Sequence, residues 1–183
     1  MNKSEKEDLR VKRTRKLLYQ ALMDLIKKES FETITVKQIC DLAMVHRTTF
    51  YVHFLDKFDL LTQMLRQIAD EELNQAGQLD PARNFQKVCE VATQYHELFS
   101  QLLLEEPDSL RNILRSEMKI GMIRYADEQI QGWNEMDAMD MEIAIEAYIG
   151  SALGVLQWWL QNHMPISTEE LYRKFERSMN WKF

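Results

Sequence analysis

A chain of 183 residues with 45% hydrophobic side chains can bury a core in one compact body or in two small domains. Five Gly and three Pro among strong helix formers leave little room for a turn-rich β fold and argue for an all-α protein. The net charge of −6 excludes a uniformly basic nucleic-acid binder, yet it is unevenly spread: residues 1–60 hold 12 Lys/Arg against 9 Asp/Glu, a net of +3, and residues 61–183 hold 11 against 20, a net of −9.

Residues 1–8 read as polar and frayed, followed by the basic cluster Arg10, Lys12, Arg13, Arg15 and Lys16. Leu17, Leu18, Ala21, Leu22, Leu25 and Ile26 then repeat at helical spacing, which predicts a first helix ending near Lys28. Phe31 and Ile34 close a small core against Ile39, Phe50 and Phe54. Thr35 is placed to cap a second helix, whose Val36, Ile39, Cys40 and Ala43 turn one face inward. Val45 fills the corner, and a further helix opens near His46 with Phe50 and Phe54 on one face. The other face carries Arg47, Thr48, Thr49, Tyr51, Val52 and His53, a set of donors and methyls suited to base edges and phosphates. Two short helices around a tight turn predict a helix-turn-helix with its second helix in a major groove.

Asp56 predicts the cap of a fourth helix, with Phe58, Leu60, Leu61, Met64, Leu65 and Ile68 as its apolar face to about Asn74 and a break at Gly77–Asp80. A fifth helix starts at Asp80–Pro81 and buries Phe85, Val88, Cys89, Ala92, Tyr95, Phe99 and Leu102. A sixth runs from Asp108 to about Gly132. A long helix from Met141 to Asn162 is apolar nearly all round, which predicts burial on more than one side. Ser167, with Glu170 three residues on, opens a last helix from Thr168 to Trp181. No apolar run is expected to reach the length of a membrane span, and a charged start without a signal region predicts a cytoplasmic protein. Cys40 and Cys89 read as reduced core thiols. No metal-ligand spacing, phosphate loop or nucleophile elbow is present, so no cofactor, metal or catalytic residue is expected; a helical enzyme is the weak alternative.

Thr35–Val36, Ile39, Ala43, Val45, Thr49–Phe50–Tyr51, His53–Phe54 and Lys57 fall in one register, and over that stretch the chain resembles the TetR type of transcriptional regulator. The resemblance implies a three-helix DNA-binding domain over 1–56, joined by the fourth helix to a helical effector-binding and dimerisation domain over 57–183. It places Thr35, Lys37, Tyr51, His53 and Lys57 near DNA, and with His46, Arg47, Thr48, Thr49 and Val52 these form the expected DNA-binding set. Lys57, at a helix start where the dipole favours an anion, is expected to grip phosphate. Two positions depart from the family: Met44 stands where Gly usually makes the turn, and Thr48 stands where Gly is frequent. The implied function is a homodimeric regulator of double-stranded operator DNA, a repressor relieved by a small molecule in the body; the alternative is a co-regulator or activator controlled by a protein partner. Tyr95, Phe99, Met118, Met122, Tyr125 and Trp158 are the expected effector-pocket residues. Ala147, Gly150, Ser151, Gly154, Trp158, Leu171 and Phe175 are the expected dimer interface.

Overall fold

The computed structural model describes residues 3–72, 81–104, 108–129 and 137–179, with the side chains of 3–8, 81–84, 108–109 and 124–129 excepted. Among the described residues every regular element is a helix: α1 (Lys3–Ile26), α2 (Val36–Ala43), α3 (Arg47–His53), α4 (Lys57–Glu72), α5 (Pro81–Gln94), α6 (His96–Leu104), α7 (Asp108–Gln129), α8 (Ala138–Gln161) and α9 (Thr168–Met179). They form two compact units, Met1–Gln67 and Ile68–Phe183, and the division falls inside α4 and not at its start. The expected break at Gly77–Asp80 lies outside the described residues, as do the ends predicted near Asn74, Gly132 and Trp181.

In the first unit α1 starts at Lys3, well before the frayed segment was expected to end. Its N-terminal stretch lacks apolar periodicity but is rich in Lys and Glu, which favour helix through their own propensity. Leu18, Leu22, Phe31, Ile34, Ile39, Phe50, Phe54, Leu60 and Leu61 make a single buried core. Tyr19 of α1 lies 5.9 Å, ring to ring, from Phe54, which is in turn 5.5 Å from Phe50. The large side chains fix the roll of α3: each fully buried Phe contributes about 1.5–3 kcal/mol, far more than any exposed residue on that helix.

The ends of α2 are closed at both sides. Thr35 Oγ1 accepts from the Gln38 N–H at 3.2 Å, and the Thr35 N–H donates to Gln38 Oε1 at 2.8 Å, a reciprocal capping box. At the other end the Val45 N–H donates to the Cys40 carbonyl and the Met44 N–H to that of Asp41. This pair of bonds requires a left-handed residue between helix and turn. Met44 takes that conformation at φ 53°, ψ 41°, with its side chain 90% exposed. A residue with a Cβ costs about 1–2 kcal/mol there, of which glycine's extra freedom in the unfolded chain takes back about 0.5–1. Met44→Gly is therefore expected to stabilise the protein by about 0.5–1 kcal/mol, read as a higher urea midpoint. A midpoint that stays or falls would show that the turn holds methionine without strain.

In the second unit α5 packs on α9, α6 on α7 and α8, and α7 on α8. The predicted fifth helix is two helices: Tyr95 forms a turn between α5 and α6. The Tyr95 N–H still reaches the Val91 carbonyl and Phe99 that of Tyr95, so helical bonding passes through the bend and the apolar spacing gives no sign of it. Asp137 caps α8 by accepting from the N–H groups of Met139 and Asp140, both at 2.8 Å. On the surface Arg115 of α7 pairs with Glu146 of α8, and Lys119 reaches Glu142 at 3.2 Å and Glu146 at 2.8 Å. At the far end Trp159 is buried and its indole N–H donates to the Ile166 carbonyl at 2.9 Å, pinning the turn into α9. Contrary to the expectation of no span-length run, α8 is long and apolar enough by composition to cross a membrane. Its inward residues Ile145, Ile149, Ala152, Leu153 and Leu156 pack within the unit, which accounts for one side of that apolar character. Cys40 and Cys89 are free and buried, and burial pushes the Cys89 thiol up to about 12, leaving it protonated and unreactive.

Candidate nucleic-acid interface

Phe50 and Phe54 hold α3 by its inner face, so the residues between them point outward. His46, Arg47, Thr48, Tyr51 and Val52 are exposed, and Thr49 and His53 are half-buried. Val52 leaves 77% of its surface in solvent while Phe50 leaves none. A large apolar side chain raised that far from its own core is what contact with a thymine methyl requires. Arg47, the first residue of α3, makes no hydrogen bond or ion pair among the described residues, so its forked donors are available.

The remaining expected contacts divide. Lys37 is exposed on the first turn of α2. The Thr35 hydroxyl is engaged in the capping box, donating to Gln38 Oε1 at 2.6 Å. Burial, with the Arg15 charge adding to it, holds the His53 imidazole below its usual range, so at neutral pH it offers a hydrogen bond and no charge.

Lys57 departs from its expected role. Its ammonium donates to three carbonyls, those of Phe31 at 2.8 Å, Glu32 at 2.8 Å and Ile34 at 2.9 Å. Three donors meet three acceptors and none is left for a phosphate.

Arg15, of the basic cluster on α1, lies against this part of the first unit. Its guanidinium lies 5.8 Å from the centre of the Phe54 ring, and its Nε is buried with no partner among the described residues. Arg15, Tyr19 and Leu22 fall at i, i+4 and i+7, so helical spacing alone places Arg15 on the α1 face turned to Phe54.

The expected effector residues differ in burial. Phe99 is in the core, Met118 and Met122 are half-buried on α7, and Tyr95 is half-buried at the α5–α6 turn. The side chain of Tyr125 lies outside the described residues. Trp158 is 49% exposed; the inward tryptophan is its neighbour Trp159.

The expected dimer residues also divide. Ala147, Gly150, Gly154 and Trp158 are all exposed and form one stripe along α8, extended by the exposed Ile143, which the expected set did not include, with Ser151 half-buried beside it. A Cβ added at Gly150 or Gly154 would meet nothing within 4 Å among the described residues, so no contact among them calls for a glycine at either position. Leu171 and Phe175, by contrast, are only 2% exposed. Phe175 lies 4.0 Å, ring to ring, from Phe85 and 5.9 Å from Tyr148. These two side chains of α9 close the subunit's own core and have almost no surface left for a second copy, so they leave the interface set.

Residues 80–180, more than half of the chain, match the TetR C-terminal family described as a transcriptional regulator C-terminal region. The uncharacterised HTH-type transcriptional regulator YxbF of Bacillus subtilis (strain 168) is 34% identical over 70 residues, 38% of this chain and 18% of that protein's length. Among solved structures, a TetR transcriptional regulator from Streptococcus agalactiae superposes with a TM-score of 0.66 at 21% identity, over 94% of this chain and 96% of that one. A TetR-family regulator from Syntrophomonas wolfei gives 0.60 at 17%, over 90% and 91%. The dihydroxyacetone kinase operon activator DhaS also gives 0.60, at 14%, over 90% and 92%. At these identities the structural likenesses establish the fold.

Proposed function

The chain belongs to the TetR family of transcriptional regulators, and on that premise we propose that it acts as a homodimer in which each α3 reads one half-site of a palindromic operator. The observation that carries the reading is the outward face of α3, where Arg47, Thr48, Tyr51 and Val52 stand exposed on a helix locked by two buried phenylalanines. Arg47 supplies the forked donor suited to guanine; Thr48 and Val52 supply methyl contacts for thymine; Lys37 and Arg15 supply charge for the backbone. The exposed stripe on α8 supports pairing of two copies through that helix. Regulation follows as repression relieved by an effector held in the body, where α6, α7 and α8 pack together.

Selection of bound duplexes from a random pool tests the reading. The expected product is a palindrome whose half-site centres lie about 34–36 Å apart or a multiple of that. An unselected pool after repeated rounds would remove α3 from a base-reading role. Because one structural neighbour is named an operon activator, the sign is read separately. With the selected duplex placed over a reporter promoter, repression predicts lower output when the protein is present, and higher output would make it an activator.

A further inference from the structure

We propose that Lys57 is a positioning residue for operator binding: its ammonium locks the loop 31–34, and through it the first turn of α2, to the first turn of α4. The geometry is that of a tripod. Three N–H groups meet the carbonyls of Phe31, Glu32 and Ile34, all at 2.8–2.9 Å. The cation sits 4.8 Å from the centre of the Phe31 ring and 5.5 Å from that of Phe58, and those two rings meet edge to face at 5.3 Å. Its base is equally fixed, since Asp56 Oδ1 accepts from the N–H groups of Phe58 and Asp59 and so holds the first turn of α4. The clamped carbonyls end one residue before Thr35, the cap of α2, and Lys37 lies in the turn that follows.

A tetrahedral ammonium suits three converging carbonyls; a planar guanidinium presents its donors as a fork and cannot fill the same nest. A phosphate contact has the opposite preference, because the fork grips phosphate at least as well. Lys57→Arg therefore separates the two roles at constant charge.

This inference rests on the reading of α3 as the operator helix, and its test keeps the two apart. Binding of the full chain is measured on the duplex recovered by selection and on an unrelated duplex of equal length, at a temperature where circular dichroism shows the protein folded. Lys57→Arg is expected to lower the ratio of specific to non-specific affinity about tenfold, with the salt dependence on unrelated DNA unaltered. Wild-type protein that shows no selectivity sinks the underlying reading. Selective wild type together with an equally selective, folded Lys57→Arg protein sinks the clamp alone. A second measurement needs no variant: the Lys57 ammonium is expected to give a slowly exchanging 15N resonance that persists unchanged when operator is added. Scalar coupling of that resonance to 31P of the duplex would overturn the proposal and return Lys57 to the phosphate backbone.

Discussion

A Gly154→Leu protein is expected to sediment as a folded monomer and to lose about 10²–10⁴-fold in operator affinity, the factor that tethering two heads contributes. The argument runs from the glycine outward. In an exposed helix interior glycine costs about 1 kcal/mol against alanine, so leucine at this position raises the intrinsic stability of α8. Among the described residues a Cβ at this position has no neighbour within 4 Å, so the first atom of the new side chain meets no obstacle in the subunit. A second helix crossing at Gly150 and Gly154 would approach at the short end of the usual separation of about 8–10 Å, and leucine would push it away. Gly121 on α7 provides the control, because a Cβ there also meets nothing and the residue lies off the stripe. Gly121→Leu is expected to leave assembly and binding unaltered. A fully dimeric Gly154→Leu protein that binds operator normally would place the joint elsewhere.

Arg47→Ala is expected to cost roughly 1–3 kcal/mol on the operator and to relax the preference at one base in each half-site. The side chain opens α3, stands exposed, and has no partner among the described residues to give up before it binds. Removing it leaves Phe50 and Phe54 in place, so the helix keeps its roll and the remaining contacts keep their register. The loss should therefore appear as sequence-selective weakening in a repeated selection, where one position of the motif becomes degenerate. A motif unchanged at every position, with uniformly weaker binding, would make Arg47 a backbone contact and not a reader.

The head was legible in the sequence because its elements are specified locally. Thr35 was readable as the cap of α2 from its own position, with the structure adding Gln38 three residues on as its reciprocal partner, and the spacing of Phe50 and Phe54 determines which side of α3 looks out. The left-handed turn at Met44 was legible as a conflict: a position that wants glycine holds something else, and the structure resolves it by keeping the conformation. What stayed hidden depended on distant partners. The carbonyls that engage Lys57 lie 23 to 26 residues upstream, and a lysine at a helix start looks the same whether it faces a phosphate or a nest of carbonyls. The amphipathic pattern of α9 marks Leu171 and Phe175 as buried, but periodicity cannot say whether the covering surface is α5 or a second copy. Trp158 and Trp159 are adjacent, so a small error in helical phase exchanges the inward ring for the outward one.

The stacking of Phe175 on Phe85 sets a timetable. A ribosome adding roughly 5–20 residues per second makes the segment up to Gln67 well before it reaches Phe175. The first unit has all its core residues in hand by then, from Leu18 to Leu61, and can close while synthesis continues. The second unit cannot, because α5 exposes Phe85 until α9, some ninety residues later, has been made. For several seconds each nascent chain carries a first unit with its core complete ahead of a second unit with an open apolar face. On the proposed dimeric reading a single head lacks its partner, so the operator would be in effect blind to chains still being made and occupancy would count completed proteins.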